Sequence, residues 1–268
     1  MQSLKEKHVL LTGGSRGLGA VIAEALAQKG ANVALAARRE EDLNVVADHI
    51  RRYGVKTLVV PVDLENAVQR RKLVDKVLDK FGAIDVLINN AGLYGVGSYL
   101  KLSWETICKV IEVNLIAPMN LSYLVLPYMV SKKEGHIVNI ASVAGKRGFP
   151  YGATYSATKA GLAEWTRGLR LELREQGIHF TTLFPGYVMG AGMFAKTGLT
   201  PPWIIGSCTP ESVAKAVIQG ILKNRKEILV NSRPLQPILN IGESFPSFAD
   251  WMMKKIGAYD LQRRMANE

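Results

Sequence analysis

His8-Val-Leu-Leu-Thr12-Gly13-Gly14-Ser15-Arg16-Gly17-Leu18-Gly19 is the stretch that sets the architecture. A short apolar run ends at Thr12, a glycine-rich turn follows, and a helical pattern begins at about residue 17. Glycines let a backbone turn tightly and approach a pyrophosphate, whose negative charge suits the amino terminus of the next helix. Many glycine-rich turns are only turns. One that follows the first strand of an alternating α/β chain is considerably more specific.

The alternation holds on both sides of that turn. His8–Thr12, Asn32–Ala37, Thr57–Val62, Val86–Asn90, His136–Ala141 and His179–Phe184 read as short apolar strands, with Glu227–Val230 as a seventh. Helical patterns lie between them at about 17–29, 40–53, 65–80, 103–130, 153–176 and 210–223. Near-continuous apolar strands separated by helices predict an α/β fold, a doubly wound parallel sheet of Rossmann type covered on both faces. Such a sheet binds ligands beyond the carboxyl ends of its strands. The 268 residues suit one catalytic domain, 1–268, without repeats or low-complexity linkers.

Composition narrows the function classes. Cys108 and Cys208 stand far apart, which implies neither a disulfide framework nor a metal site and points to a reducing cytoplasm. The amino terminus runs straight into a strand and has no signal-peptide pattern. Leu115–Val130 is apolar but interrupted by Pro118, Asn120, Ser122 and Pro127, so it reads as a buried helix. The formal charge of +11 is spread in clusters such as Arg38/Arg39, Arg70–Lys72 and Lys146/Arg147. No nucleic-acid module accompanies them, so nucleic acid is not an expected partner, and a solvated face is the plain reading.

The turn has the spacing Thr-Gly-x-x-x-Gly-x-Gly, unlike G-x-G-x-x-G. With Asp63, Asn89-Asn90-Ala91-Gly92, Asn114, Ser142, Tyr155, Lys159 and Pro185-Gly186 in order, the chain resembles the short-chain dehydrogenase/reductase family over about residues 5 to 230. The resemblance implies that Gly13, Ser15, Arg16, Gly17, Leu18 and Gly19 cradle a dinucleotide. It places Asp63 and Leu64 at the adenine, and Asn90, Ala91 and Gly92 along the ribose. Tyr155, Lys159, Pro185, Gly186 and Val188 then bound the nicotinamide end. The family usually has a threonine four positions past Gly186; this chain has Gly190, with main-chain groups, or Thr197 or Thr200, as substitutes.

Cofactor choice rests on the end of the second strand. NAD-binding enzymes place a carboxylate there for the ribose 2′-hydroxyl. Here the segment is Leu35-Ala36-Ala37-Arg38-Arg39, with Ala37 at the expected carboxylate position. An arginine fork matches a 2′-phosphate, and Arg16 closes on it from the turn. NADP(H) is therefore the expected cofactor. Arg39 reads equally as a second clamp or as an exposed helix-start residue.

Tyr155 and Lys159 are four apart, which puts them on one face of a helix. A cation at about 4 Å interacts with a phenolate by roughly 4 kcal/mol at an effective dielectric of ~20, enough to bring tyrosine toward neutral pH. Ser142, at the end of the His136–Ala141 strand, is aimed at the sheet's carboxyl edge. By resemblance, Tyr155 exchanges the proton, Ser142 holds the substrate oxygen, and Asn114 holds a water linking Lys159 to solvent.

The 186–209 segment is a substrate loop or lid, with Met189, Met193, Phe194, Leu199, Trp203, Ile204 and Ile205. With Leu93, Tyr94, Phe149 and Tyr151 it forms either a greasy substrate wall or ordinary packing. The tail, 231–268, is a variable helical segment. One short helix at Pro234–Ile241 is closed by Gly242, and a second opens at Pro246 with Phe245, Phe248, Ala249, Met252 and Ile256 on one face. Packing on the domain or across a dimer is one reading; a membrane-surface helix, suggested by Trp251 and Lys254/Lys255, is the other. The expected activity is that of an NADP-dependent carbonyl reductase or alcohol dehydrogenase acting on a lipophilic substrate. A 3-oxoacyl, steroid or retinoid-like compound suits it. The expected assembly is a cytoplasmic homodimer or homotetramer, with possible membrane association. Rivals are an NADP(H)-binding redox sensor with little turnover and a sugar epimerase or dehydratase.

Overall fold

The structure is a computed structural model that describes residues 1–267; Glu268, the last residue of the tail, lies outside the described residues. Seven strands are present: β1 (His8–Thr12), β2 (Asn32–Ala37), β3 (Thr57–Pro61), β4 (Val86–Asn89), β5 (Gly135–Ile140), β6 (Ile178–Pro185) and β7 (Glu227–Val230). The helices between them are α1 (Gly17–Ala27), α2 (Glu40–Arg51), α3 (Ala67–Phe81), α4 (Trp104–Ile111), α5 (Ala117–Lys132), α6 (Ala153–Glu172), the short α7 (Gly192–Ala195) and α8 (Pro210–Leu222). The tail forms α9 (Gln236–Ser244), α10 (Pro246–Lys255) and α11 (Ala258–Asn267).

All strands pair in parallel, in the order β3-β2-β1-β4-β5-β6-β7. The strand pleat explains the apolar runs. Val9 and Leu11 face one core with Ile22, Leu43 and Val217, whereas Leu10 faces the other with Leu121 and Phe180. Both faces are therefore covered by helices. The chain reverses direction of growth at β1, between β2 and β4, so the connections after β1 and β4 diverge and open a crevice there.

The 103–130 pattern becomes one helical run, Trp104–Lys132, but it is not regular. Glu112–Ile116 forms a π-turn, and Asn114 lies inside it. By length and composition this run is able to cross a membrane, yet half of its most apolar window is buried. Leu121, Val125 and Met129 pack into the sheet's second core, which is how a core helix behaves.

Single members of two basic clusters, Arg70 and Lys146, are engaged inside the fold, while Arg71 and Lys72 keep the expected solvated face. Arg70 is buried, donating to Leu64 O at 2.5 Å and to Asn120 Oδ1 at 2.7 Å, and pairing with Glu112 at 2.6 Å. It ties the Asp63–Leu64 turn to the start of the π-turn. Lys146 and Arg167 both grip Glu227, at 2.8 Å and 2.5 Å, joining β7 to α6 and to the segment after Ser142. Those cations, Arg167 foremost, hold the Glu227 carboxyl down at about 2 against the opposing effect of burial. A depressed carboxylate stabilises the fold above its unfolded value and loses that contribution as pH falls through its folded value. The melting-temperature difference between the native chain and Glu227→Gln is thus expected to be full above pH 4.5 and to vanish toward pH 2. A difference independent of pH would contradict this linkage.

The tail departs from the expected two helices. Gly242 lies inside α9 and does not close it, because the Arg147 guanidinium sits against it and donates to its carbonyl at 2.9 Å. A third helix, α11, follows; it is amphipathic and rich in charge, with Ala258, Leu261 and Met265 buried on its inner face.

Candidate active site

A single cavity of about 860 Å³ runs from the glycine-rich turn, past Tyr155, to the tail helices. At its nucleotide end Gly17 has φ +56°, which lets α1 start immediately after the turn. At Gly19 an added methyl would come within 2.0 Å of Gly13 O, so the turn folds against its own helix only with glycine there. The free backbone donors at the start of α1 are thereby left facing the cavity, as a pyrophosphate requires.

Gly13, Ser15, Arg16, Leu18, Arg38, Arg39, Asp63, Leu64, Asn90, Ala91 and Gly92 all line this half, as do Pro185, Gly186 and Val188 farther along. Asn90 Nδ2 is spent on Thr12 O at 2.9 Å, so it locks β4 to the turn. Asp63 accepts from Glu65 N through Oδ1 at 3.1 Å. Arg39 also pairs with Asp42 at the start of α2, so it stands both at the cavity and at the helix start. Arg16 and Arg38 are exposed at the cavity mouth and have no ion-pair partner among the described residues. These groups fit a nicotinamide dinucleotide.

At the catalytic end, α6 carries Tyr155 and Lys159, and the turn after β5 carries Ser142. The Ser142 hydroxyl accepts from Ala144 N at 3.2 Å and donates to Pro185 O at 3.5 Å. Tyr155 is 7 % exposed, and its ring packs edge-on to Tyr94 with centroids 5.1 Å apart. Lys159 Nζ donates to Ile140 O at 2.8 Å and lies 5.8 Å from the Tyr155 ring centre.

The expected lowering of the Tyr155 pKa is corrected by this geometry. Burial pushes the phenol up to about 12, and the Ser142 hydrogen bond offsets only part of it. Burial brings Lys159 down to about 8. Desolvation outweighs attraction because both groups are enclosed.

Asn114 does not line the cavity. Its Oδ1 accepts from Leu93 N at 2.7 Å, while Nδ2 donates to Leu93 O at 2.8 Å and Thr158 Oγ1 at 3.3 Å. The amide clamps the Gly92–Leu93 backbone in both directions. It remains adjacent to the lysine: a methyl at Gly92 would approach Asn114 Oδ1 to 3.3 Å and Lys159 Nζ to 3.6 Å.

The substrate end divides the apolar residues of the 186–209 loop. Met193, Phe194 and Ile205 line the cavity with Leu93, Tyr94 and Phe149. Met189 and Leu199 pack behind Phe194, Trp203 is 75 % exposed beneath Arg233, and Ile204 is also exposed. Tyr151 turns away from the cavity, holding a left-handed turn whose carbonyl accepts from Gly97 N at 2.9 Å. Thr197 bonds Phe194 O and Leu199 N, and neither it nor Thr200 lines the cavity, so neither replaces the missing threonine.

The tail packs on this site. Leu239, Met252, Met253 and Ile256 form a wall of the cavity, and Arg147 ties the Ser142 segment to α9 and α10 through Gly242 O, Pro246 O and Asp250. The proposed single face of α10 splits. Ala249 is buried and Met252 and Ile256 turn inward, while Phe245, Phe248 and Trp251 are exposed. Gln262 of α11 also reaches the cavity, and no local signal marked it.

The chain matches the family model for short chain dehydrogenase over residues 7–201. It is 39% identical to the ketoacyl reductase HetN of Nostoc, covering 99% of this chain and 94% of that one. It is 30% identical to a dehydrogenase/reductase SDR family protein 7-like of Anopheles gambiae, over 94% of this chain and 83% of the relative. Among solved structures, an alcohol dehydrogenase from Thermococcus sibiricus complexed with 5-hydroxy-NADP is similar at TM-score 0.76 and 30% identity, over 86% of this chain and 99% of the other. A metagenomic short-chain oxidoreductase in complex with NADP is similar at TM-score 0.74 and 32% identity, over 86% and 98%.

Proposed function

Since this chain belongs to the short-chain dehydrogenase family, we propose that it is an NADP(H)-dependent oxidoreductase acting on the carbonyl or secondary alcohol of a lipophilic substrate. The observation that carries the cofactor choice is the charge at the ribose end. Ala37 stands where a carboxylate would repel a 2′-phosphate, and Arg16 and Arg38 flank the spot without ion-pair partners among the described residues. The NADP in two similar solved structures supports the same choice. The apolar wall of Phe149, Phe194, Met252 and Ile256 supports a lipophilic substrate, and a ketoacyl reductase among the relatives supports a 3-oxoacyl one.

Bound NADP(H) supplies or accepts the hydride. Ser142 holds the substrate oxygen against Tyr155, whose protonated phenol donates to that oxygen during reduction. The Lys159 ammonium stabilises the phenolate left behind, and Asn114 keeps the Gly92–Leu93 backbone in place beside it. The enclosing rings of Tyr94 and Phe149 exclude water from the proton transfer.

NADPH oxidation is expected with at least one member of a panel of aldehydes, ketosteroids and 3-oxoacyl thioesters, and it should be slower with NADH. No oxidation across the panel would overturn the proposal. The pH dependence follows from the two buried groups. Tyr155 stays protonated to about 12, so it does not limit reduction, whereas Lys159 loses its charge above about 8. Reduction kcat/KM should therefore be level below pH 7 and fall about tenfold per unit well above pH 8. A profile still rising at pH 10 would remove the lysine charge from the mechanism.

A further inference from the structure

We propose that Gln262 is a specificity residue whose side-chain carbonyl receives a hydrogen bond from a hydroxyl or secondary amide of the substrate, remote from its reacting carbonyl. This rests on the oxidoreductase reading above and deepens it.

Gln262 is 4 % exposed and lines the same cavity as Tyr155 and Ser142. Its Nε2 donates to Tyr187 Oη at 2.5 Å, but its Oε1 is buried without any hydrogen-bond partner. A buried acceptor left unpaired is destabilising, and a leucine or methionine would fill the space without that cost. The neighbouring helix positions do use apolar residues: Leu261 and Met265 are buried against Phe194. Other cavity residues of the tail are apolar except Tyr259, whose hydroxyl is spent on Asp250 at 3.0 Å. The amide is thus the one unspent polar group that the described tail residues bring to the site.

Its partner sharpens the ligand class. Tyr187 Oη accepts from Gln262, so its own proton is free to donate, and no acceptor for it is found among the described residues. Gln262 Oε1 and the Tyr187 hydroxyl together present one acceptor and one donor. A hydroxyl or a secondary amide presents the complement of both. The position is connected to the chemistry: Tyr94, edge-on to Tyr155, contacts Met265 Sδ through its hydroxyl at 3.8 Å, one helical turn from Gln262.

The test uses two matched substrate pairs with NADPH. One is a 3-oxoacyl N-acetylcysteamine thioester, which has a secondary amide, against its S-ethyl thioester. The other is a 3-ketosteroid with and without a 17-hydroxyl. The native chain should prefer the donor-bearing member of at least one pair by about 10-fold or more in kcat/KM, expressed in KM and not in kcat. In Gln262→Leu and Gln262→Met the two values should converge. Thermal-shift titrations with the same four compounds read the binding preference whether or not turnover occurs. Absence of turnover with binding preference intact would defeat the oxidoreductase reading alone. No preference in either pair, or a preference that both folded variants keep, would overturn the role of Gln262.

Discussion

Tyr155→Phe should lower kcat for ketone reduction by at least about 100-fold while leaving NADPH affinity near its native value. The substitution removes one hydroxyl from a ring that is otherwise held by packing, edge-on to Tyr94 and tilted against Phe149 at 6.4 Å. The cavity shape is therefore preserved and the proton donor is lost. Burial keeps that donor protonated across the neutral range, which suits reduction, and Lys159 is still mostly charged at pH 7. The measurement is steady-state turnover together with NADPH binding by fluorescence titration. Near-native turnover in a variant that binds NADPH normally would take Tyr155 out of the reaction.

Arg38→Asp should reverse the cofactor preference. A lost charge-assisted hydrogen bond amounts to about 1.5–3 kcal/mol, and a new carboxylate adds repulsion toward a 2′-phosphate. Together these predict a fall of roughly 100-fold in the NADPH/NADH ratio of kcat/KM. Arg38 is exposed and without an ion-pair partner among the described residues, so the fold itself should tolerate the change. The same substitution also restores, one residue late, the acidic group that receives a ribose 2′-hydroxyl. An unchanged ratio would refute the assignment, and unchanged NADH binding with weaker NADPH binding would support it in its simplest form.

Much of the architecture is local and was legible in the chain. The strands β1, β2 and β7 begin and end where their apolar runs do, and no other strand end differs by more than one residue. Buried parallel strands announce themselves because both faces must be apolar. The residues expected at the cofactor line one cavity, because the glycine turn and the end of β2 that carry them are themselves local features. Gly242 and the face of α10 misled for the opposite reason. A glycine also serves where a side chain from elsewhere, here Arg147, presses on a helix. An apolar stripe does not say which of its members meets a partner.

The residues of the proposed reaction are thus written in residue types at short spacings, as is the sheet that displays them. How those residues behave was settled by folding. Lys159 is four positions from Tyr155, but the removal of water shifts the acidity of both, and a carbonyl of β5 holds the ammonium in place. Asn114 is spent on Leu93, 21 positions away, and Gln262 meets Tyr187 across 75 positions. Spacing records which groups share a helix face or a turn. It carries no record of desolvation or of contacts between distant segments, and those decide the acidity of the site and the shape of what enters it.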